Sequence, residues 1–422
     1  MTARTSLLRL LLPLLATACT DTTAASDATH ADALPRFALE EEVRIGSVDD
    51  PDQGFSRIDG VDVDREGRVY VFEGQDLQLR VYAPDSRLLR TIGRRGEGPG
   101  EFQWSSRFGV VGDTVWTIGQ MMDRRITLFD REGRVLSTGR PEGVEVVVQG
   151  ERTRGLVLPS SMREDGLFTS DLAAFVRSRD PNGSGLAEDD TARIPLVLFD
   201  ATGAVVDTLG FEPLPPRTPE MEYVHVGSNR YPKPRPPSAE PIFTTLQDGW
   251  LCIDRPLATG PDEGSFRVTR FGVRGDTLFS TRFTYRPTGY DDALLDSIAA
   301  RGARRGSGVI AIVGGVIQTP EPPSDSLAVA AALRAAMDFP PFQPPVLATF
   351  VGDDGGLWLR REDNAGSSHR WIRLDPEGRP LGEVEVPKQV RVLWSSGDVA
   401  WASDTDDYGI PWLVRYRVVE AG

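Results

Sequence analysis

A histidine-based catalytic triad in this chain would have to draw on His30, His225 or His369. His30 lies in a stretch of small polar residues, His225 in a proline-rich segment and His369 at the start of an apolar run. No serine sits in a nucleophile-elbow pattern, so a Ser-His-Asp hydrolase is not supported. Oxygen ligands for a cation are spaced more suggestively. In Asp180-Pro181-Asn182-Gly183-Ser184-Gly185, the residues Asp180, Asn182 and Ser184 occupy the first, third and fifth positions of a calcium loop, with glycine at the sixth. The twelfth position is Thr191 rather than Glu and no helices flank it, so an exposed turn explains the segment as well. Asp404 and Asp406, in Asp404-Thr405-Asp406-Asp407-Tyr408-Gly409, form a second acidic and incomplete loop. No cofactor is expected, with calcium the one ion kept open. With Cys19 and Cys252 the only cysteines, thiolate metal sites are excluded. Aromatic and arginine side chains in the longer connections suit ligand or protein contact: Arg94, Arg95, Trp104, Tyr223, His225, Arg230, Tyr231 and Tyr408.

The elements that carry these residues are short strands. From Ile58 to Ile92 four apolar runs follow one another, Ile58–Val63, Val69–Phe72, Leu77–Ala83 and Leu88–Ile92, with turn residues between them and period-2 alternation within them. None is long enough for a helix, so the stretch reads as a four-stranded antiparallel meander. Its third turn recurs. Tyr82-Ala83-Pro84-Asp85-Ser86-Arg87-Leu88 is echoed by Phe129-Asp130-Arg131-Glu132-Gly133-Arg134-Val135, and again at Phe199–Val205, Phe271–Thr277 and Leu374–Pro380. The first two copies lie 45 residues apart, within the roughly 40–50 residues of one propeller blade. A sixth unit, beginning near Val390, runs out after its third strand at Trp412–Val418. The isolated run Phe37–Ile45 can supply the missing strand. The expectation is an all-β, six-bladed propeller of four-stranded antiparallel blades, closed by an N-terminal strand.

Between Ile92 and the second unit lies Gly93-Arg94-Arg95-Gly96-Glu97-Gly98-Pro99-Gly100-Glu101-Phe102, whose glycines permit a tight turn and whose Phe102 can anchor between blades. A strand rather than a helix follows, so it is not a dinucleotide loop. This connector with the strand ladder around it resembles the NHL-type six-bladed propellers of bacterial lipoproteins, a fold that hosts varied functions.

Residues 1–18 read as a signal peptide. Arg4 and Arg9 accompany an apolar stretch too short to span a bilayer, and Leu15-Ala16-Thr17-Ala18-Cys19 resembles a bacterial lipoprotein cleavage site, which implies a lipid on Cys19. Plain secretory cleavage is the alternative. The small polar residues 19–35 read as a flexible tether. Membrane contact is then by lipid anchor only, and the protein belongs to the cell envelope, facing the periplasm or exterior. The formal charge of −15 becomes −17 once the two arginines of the leader are gone, and such an acidic chain does not track phosphate backbones, so nucleic acid is not an expected partner.

Residues 36–422 form the propeller, with insertions at about 159–193, 212–241 and 285–345. The last contains two helical segments, Asp291–Arg304 and Ser324–Met337, which make a small helical insertion between blades four and five. In a meander the turns joining strands one to two and three to four share one face of the ring, and here they are short. All three insertions fall on the other face. That face is the expected site of binding to a protein or small-molecule ligand by a monomeric, membrane-tethered binding or scaffolding propeller. A metal-dependent lactonase or a lyase is the alternative.

Overall fold

A computed structural model describes residues 28–50, 53–103, 106–119, 124–141, 144–148, 151–155, 158–171, 193–213, 222–304, 311–313, 316–318, 325–364 and 366–421. Strands dominate, and the α-helices among the described residues are α1, Asp292–Arg304, and α2, Ser326–Ala335, beside a short 3-10 turn at Ala31–Ala33. The first meander is as the alternation predicts: Ile58–Val63, Val69–Glu73, Gln78–Tyr82 and Leu88–Ile92 pair in sequence order. Ser106–Val111, Thr114–Gly119, Ile126–Asp130 and Val135–Gly139 repeat that order, as do Leu158–Met162, Phe168–Asp171, Arg193–Phe199 and Val205–Pro213. A fourth meander, Ile242–Leu246 to Thr277–Tyr285, gains Thr29–His30 as a parallel fifth strand. The remaining meanders share one eight-stranded sheet, in which Arg36–Ile45 lies between Pro380–Pro387 and Pro411–Glu420. This is a propeller-like arrangement of four-stranded blades.

Four of the apolar clusters each draw on two sheets, which is how stacked blades bury both faces. Phe72, Leu79 and Ile92 meet Val115 and Phe129; Trp116 and Ile126 meet Phe168 and Phe199; Leu251 and Phe266 meet Leu357 and Ile372. Ile58, Val61 and Val71 of the first sheet pack with Trp401 and Leu413 near the chain end.

The recurring turn is built by one carboxylate. Asp130 Oδ1 accepts from the Glu132 and Arg134 amides, and Oδ2 accepts from Arg134 Nε at 2.6 Å. Asp375 does the same with Glu377 and Arg379. The glycine that follows has φ near +80°, a conformation that a side chain disfavours. At Gly378 a Cβ would also lie 2.3 Å from the Phe279 ring of the preceding blade, whose Thr281 hydroxyl donates to the Gly378 carbonyl at 2.7 Å. The turn therefore closes a hairpin and docks it on its neighbour.

Two expectations are corrected. Leu158–Met162 and Phe168–Asp171 are ladder strands of the third meander rather than part of an insertion, whereas Val144–Val148 and Glu151–Gly155 form a separate hairpin. The ladder strand was obscured by Pro159 and two serines, and Gly166, with φ +83°, makes its turn. The segment expected as a tether is docked from Thr29 onward. Ala31 is buried against Phe283 and Tyr285, and Asp32 Oδ2 accepts from the Arg286 amide at 2.7 Å. The leader, Cys19 and residues 20–27 lie outside the described residues, as do Trp104, Asp180, Asn182 and Ser184.

Candidate functional site: a cap on the insertion-bearing face

Two of the insertions meet. From the proline-rich segment, Tyr223–Val226 and Asn229–Pro232 form an antiparallel hairpin. From the last insertion come α1 and α2. Asp291 Oδ1 caps α1 at the Leu294 amide, and Asp325 Oδ1 caps α2 at the Ala328 amide, each satisfying an otherwise orphaned N–H. Arg334 of α2 reaches Asp292 at 2.7 Å and Asp296 at 3.2 Å on α1. Between hairpin and helices lies a small apolar core of Tyr231, Ala299, Ala303, Val329 and Leu333, with Val224, Val226 and Met337 at its edge. The alanines let the helices approach closely, and Tyr231, 2% exposed, fills the space they leave.

The cap is fixed to the blades by polar contacts. The Gln343 side chain donates to the carbonyls of Gly289 and Asp363 and accepts from the Asp363 amide, while Gly289 bridges to Phe342. Thr288 Oγ1 donates to Glu362. Beneath it runs a buried ion network. Arg361, with 0% of its surface exposed, holds Glu362 at 2.9 Å and Asp32 at 3.2 Å, stands 3.6 Å from Glu383, and faces the Tyr285 ring. Arg370 also pairs with Glu362. Burial raises the Glu383 carboxyl, with Arg370 and Arg361 offsetting only part of that effect. For Asp32 burial works the same way, but the Arg286 amide and the Arg361 guanidinium outweigh it and hold the carboxyl below its ordinary range. Nearby, His369 Nδ1 lies 3.3 Å from Asp363.

The residues singled out from sequence divide accordingly. Tyr223, His225 and Arg230 lie on the cap hairpin, whereas Tyr231 on the same hairpin is a core anchor and is removed from the contact surface. Arg94 and Arg95 sit together on the connector of the first meander: Arg94 pairs with Glu101 at 2.7 Å, and Arg95 donates to the Gln75 carbonyl at 2.6 Å. Phe102 is anchored there, with ring centroids 5.3 Å from Phe72 and 6.3 Å from Phe129. Tyr408 is 90% exposed at a turn of the last blade, apart from these groups. Asp404 accepts from Arg44 at 2.6 Å and Tyr416 at 3.3 Å, and Asp406 locks its own turn through the Tyr408 and Ile410 amides and Trp412 Nε1. Both carboxylates are thus engaged by the protein itself. Among the described residues no group of three or more His, Cys, Asp or Glu side chains is placed to hold a metal. Sequence reading missed Gln343, Arg361 and Glu362. The only signal was the charged run Arg360-Arg361-Glu362-Asp363 closing an apolar strand.

On the opposite face a cleft of about 180 Å³ opens between Trp358, Arg373, Ser395 and Asp398. Its polar groups already serve one another: Trp358 Nε1 donates to Ser395 Oγ at 3.0 Å and Arg373 to Asp398 at 3.1 Å. No helix among the described residues is long and apolar enough to cross a membrane.

No protein-family model matches the chain, and no curated relative does. Solved structures similar to it include a member of the DUF4221 family from Bacteroides vulgatus, 10% identical over 91% of this chain and 98% of that one, with a TM-score of 0.41. The PQQ-bound aldose sugar dehydrogenase of Streptomyces coelicolor is 12% identical over 92% and 100%, at 0.38. The virginiamycin B lyase of Staphylococcus aureus is 11% identical over 92% and 96%, at 0.34.

Proposed function

We propose that this chain is a six-bladed β-propeller of the cell envelope that binds a protein or small ligand through the cap on its insertion-bearing face. The count takes the four separate meanders as four blades and divides the eight-stranded sheet into two more. Arg36–Ile45 then serves as the outermost strand of the sixth blade, which its register of Leu39 with Val418 and Ile45 with Leu413 supports. Lipidated Cys19 is the tether. Cys19→Ala moves the protein from the membrane to the soluble fraction of cells, and unchanged partitioning would refute the anchor.

The observation that carries the functional reading is the shared core of the cap. Its hairpin and helices come from insertions separated by a whole meander, yet Tyr231 of one is buried by Ala299, Val329 and Leu333 of the other. Lengthening a loop costs little wherever it occurs, so unselected insertions have no reason to build a common core. A structured platform on one face of a rigid ring is a binding device. The test replaces Tyr290–Pro341 by a short Gly-Ser linker, which the bridge between Gly289 and Phe342 allows to close. The ring stays folded by circular dichroism, and capture of partners from envelope extracts is lost. A folded variant that keeps every interaction sinks the reading.

A further inference from the structure

The cap hairpin has two unlike faces. Its register pairs Tyr223 with Pro232, Val224 with Tyr231, His225 with Arg230 and Val226 with Asn229. Since side chains alternate along a strand and directly opposed residues share a face, Val224, Val226 and Tyr231 share the side packed on the helices. Tyr223, His225 and Arg230 share the other. On that face the Arg230 guanidinium lies 4.8 Å from the centre of the Tyr223 ring. Among the described residues no carboxylate lies within ion-pairing distance of it. Two other cations of the cap are neutralised, Arg334 by Asp292 and Asp296, and Lys233 by Glu222, whereas Arg301 of α1 donates to the Ser297 hydroxyl. A stacked guanidinium without a counter-ion among the described residues, in a chain of net charge −15, has its fork of N–H donors available while the ring holds its plane.

The hairpin is also a sheet of only two strands, neither of which has a second neighbour among the described residues. Its outer backbone groups are open to strand addition, the arrangement by which Thr29–His30 already joins the edge of Thr277–Tyr285 in this molecule. We propose that this face takes up an extended, carboxylate-bearing segment of a partner protein, with the carboxylate received by Arg230 beside His225. The proposal rests on the reading that the cap engages partners, and it names what the cap recognises.

Three degenerate hexapeptide libraries test it on the immobilised full chain: one with Asp or Glu at alternate internal positions and an amidated terminus, one without acids but with a free C-terminal carboxylate, and one with neither. The first two arms distinguish a side-chain from a terminal carboxylate. One of them is retained at least tenfold over the third. Arg230→Gln loses about tenfold in retention, the worth of one charge-assisted hydrogen bond, and Arg230→Lys recovers only part of it. Equal retention of all three libraries, or full binding by Arg230→Gln, overturns the proposal. If cap replacement abolishes capture of natural partners while Arg230→Gln preserves it, this inference alone fails. If both variants keep their partners, the reading beneath it fails as well.

Discussion

Asp32 is one of the residues that fasten the N-terminal segment to the blades. Its two oxygens are divided between the Arg286 amide and Arg361, so one carboxylate ties residues 28–35 to the fourth meander and to the buried network under the cap. Because that environment lowers its pKa in the folded state, its contribution is complete above the unfolded value, near 3.8, and is lost as pH falls through the folded value. Asp32→Asn is therefore less stable than the parent at pH 7, by on the order of 1 kcal/mol given that the side chain is partly exposed and screened. The gap closes as pH drops below about 3.8. Urea unfolding across pH 2–7 measures it, and a gap that persists undiminished in acid would show that the carboxylate charge is not what fastens the segment.

At the level of elements, the features legible in the sequence were those encoded locally. Val69–Glu73 and Gln78–Tyr82 announce themselves as short apolar runs between turn residues, though both faces are buried and the expected difference between faces is not seen, and the Asp-x-x-Gly turns by an aspartate that bonds two amides ahead of a glycine in the left-handed region. Leu158–Met162 did not, because a strand with a proline near its start and serines at its centre has too few apolar positions to show a period. The docking of Ala31 was equally hidden, since its partners Phe283 and Tyr285 are some 250 residues distant and nothing in a run of small polar residues signals them. The cap hairpin shows the same limit at the candidate site. Tyr223, His225, Arg230 and Tyr231 look alike as aromatic and cationic side chains in a proline-rich connection. Only the strand register separates half-buried Tyr223 and exposed His225 and Arg230 from one buried anchor, and only packing against α1 and α2 decides which face is inside.

For the whole molecule, the proposed ring stands or falls with Arg36–Ile45. That strand pairs antiparallel with Pro411–Glu420 from Phe37 to Ile45 and parallel with Pro380–Pro387 at Arg36–Ala38, so it sits between the last two meanders. Phe37 and Leu39 pack with Val384, Val414 and Val418, while Val43 and Ile45 pack with Ile58, Trp401 and Leu413. One strand thereby contributes to the cores on both sides of the junction between the chain ends. Removing Phe37–Ile45 takes away that apolar surface, at about 1.5–3 kcal/mol for each side chain that is fully buried, and exposes the backbone edge of Pro411–Glu420 to pairing with other chains. The deletion variant is expected to melt well below the parent and to aggregate. A synthetic peptide of residues 36–45 added in trans restores part of the lost stability, because the vacated edge and its pockets remain. Parent-like melting of the deletion variant, with no response to the peptide, would mean that the strand lies against the ring without closing it.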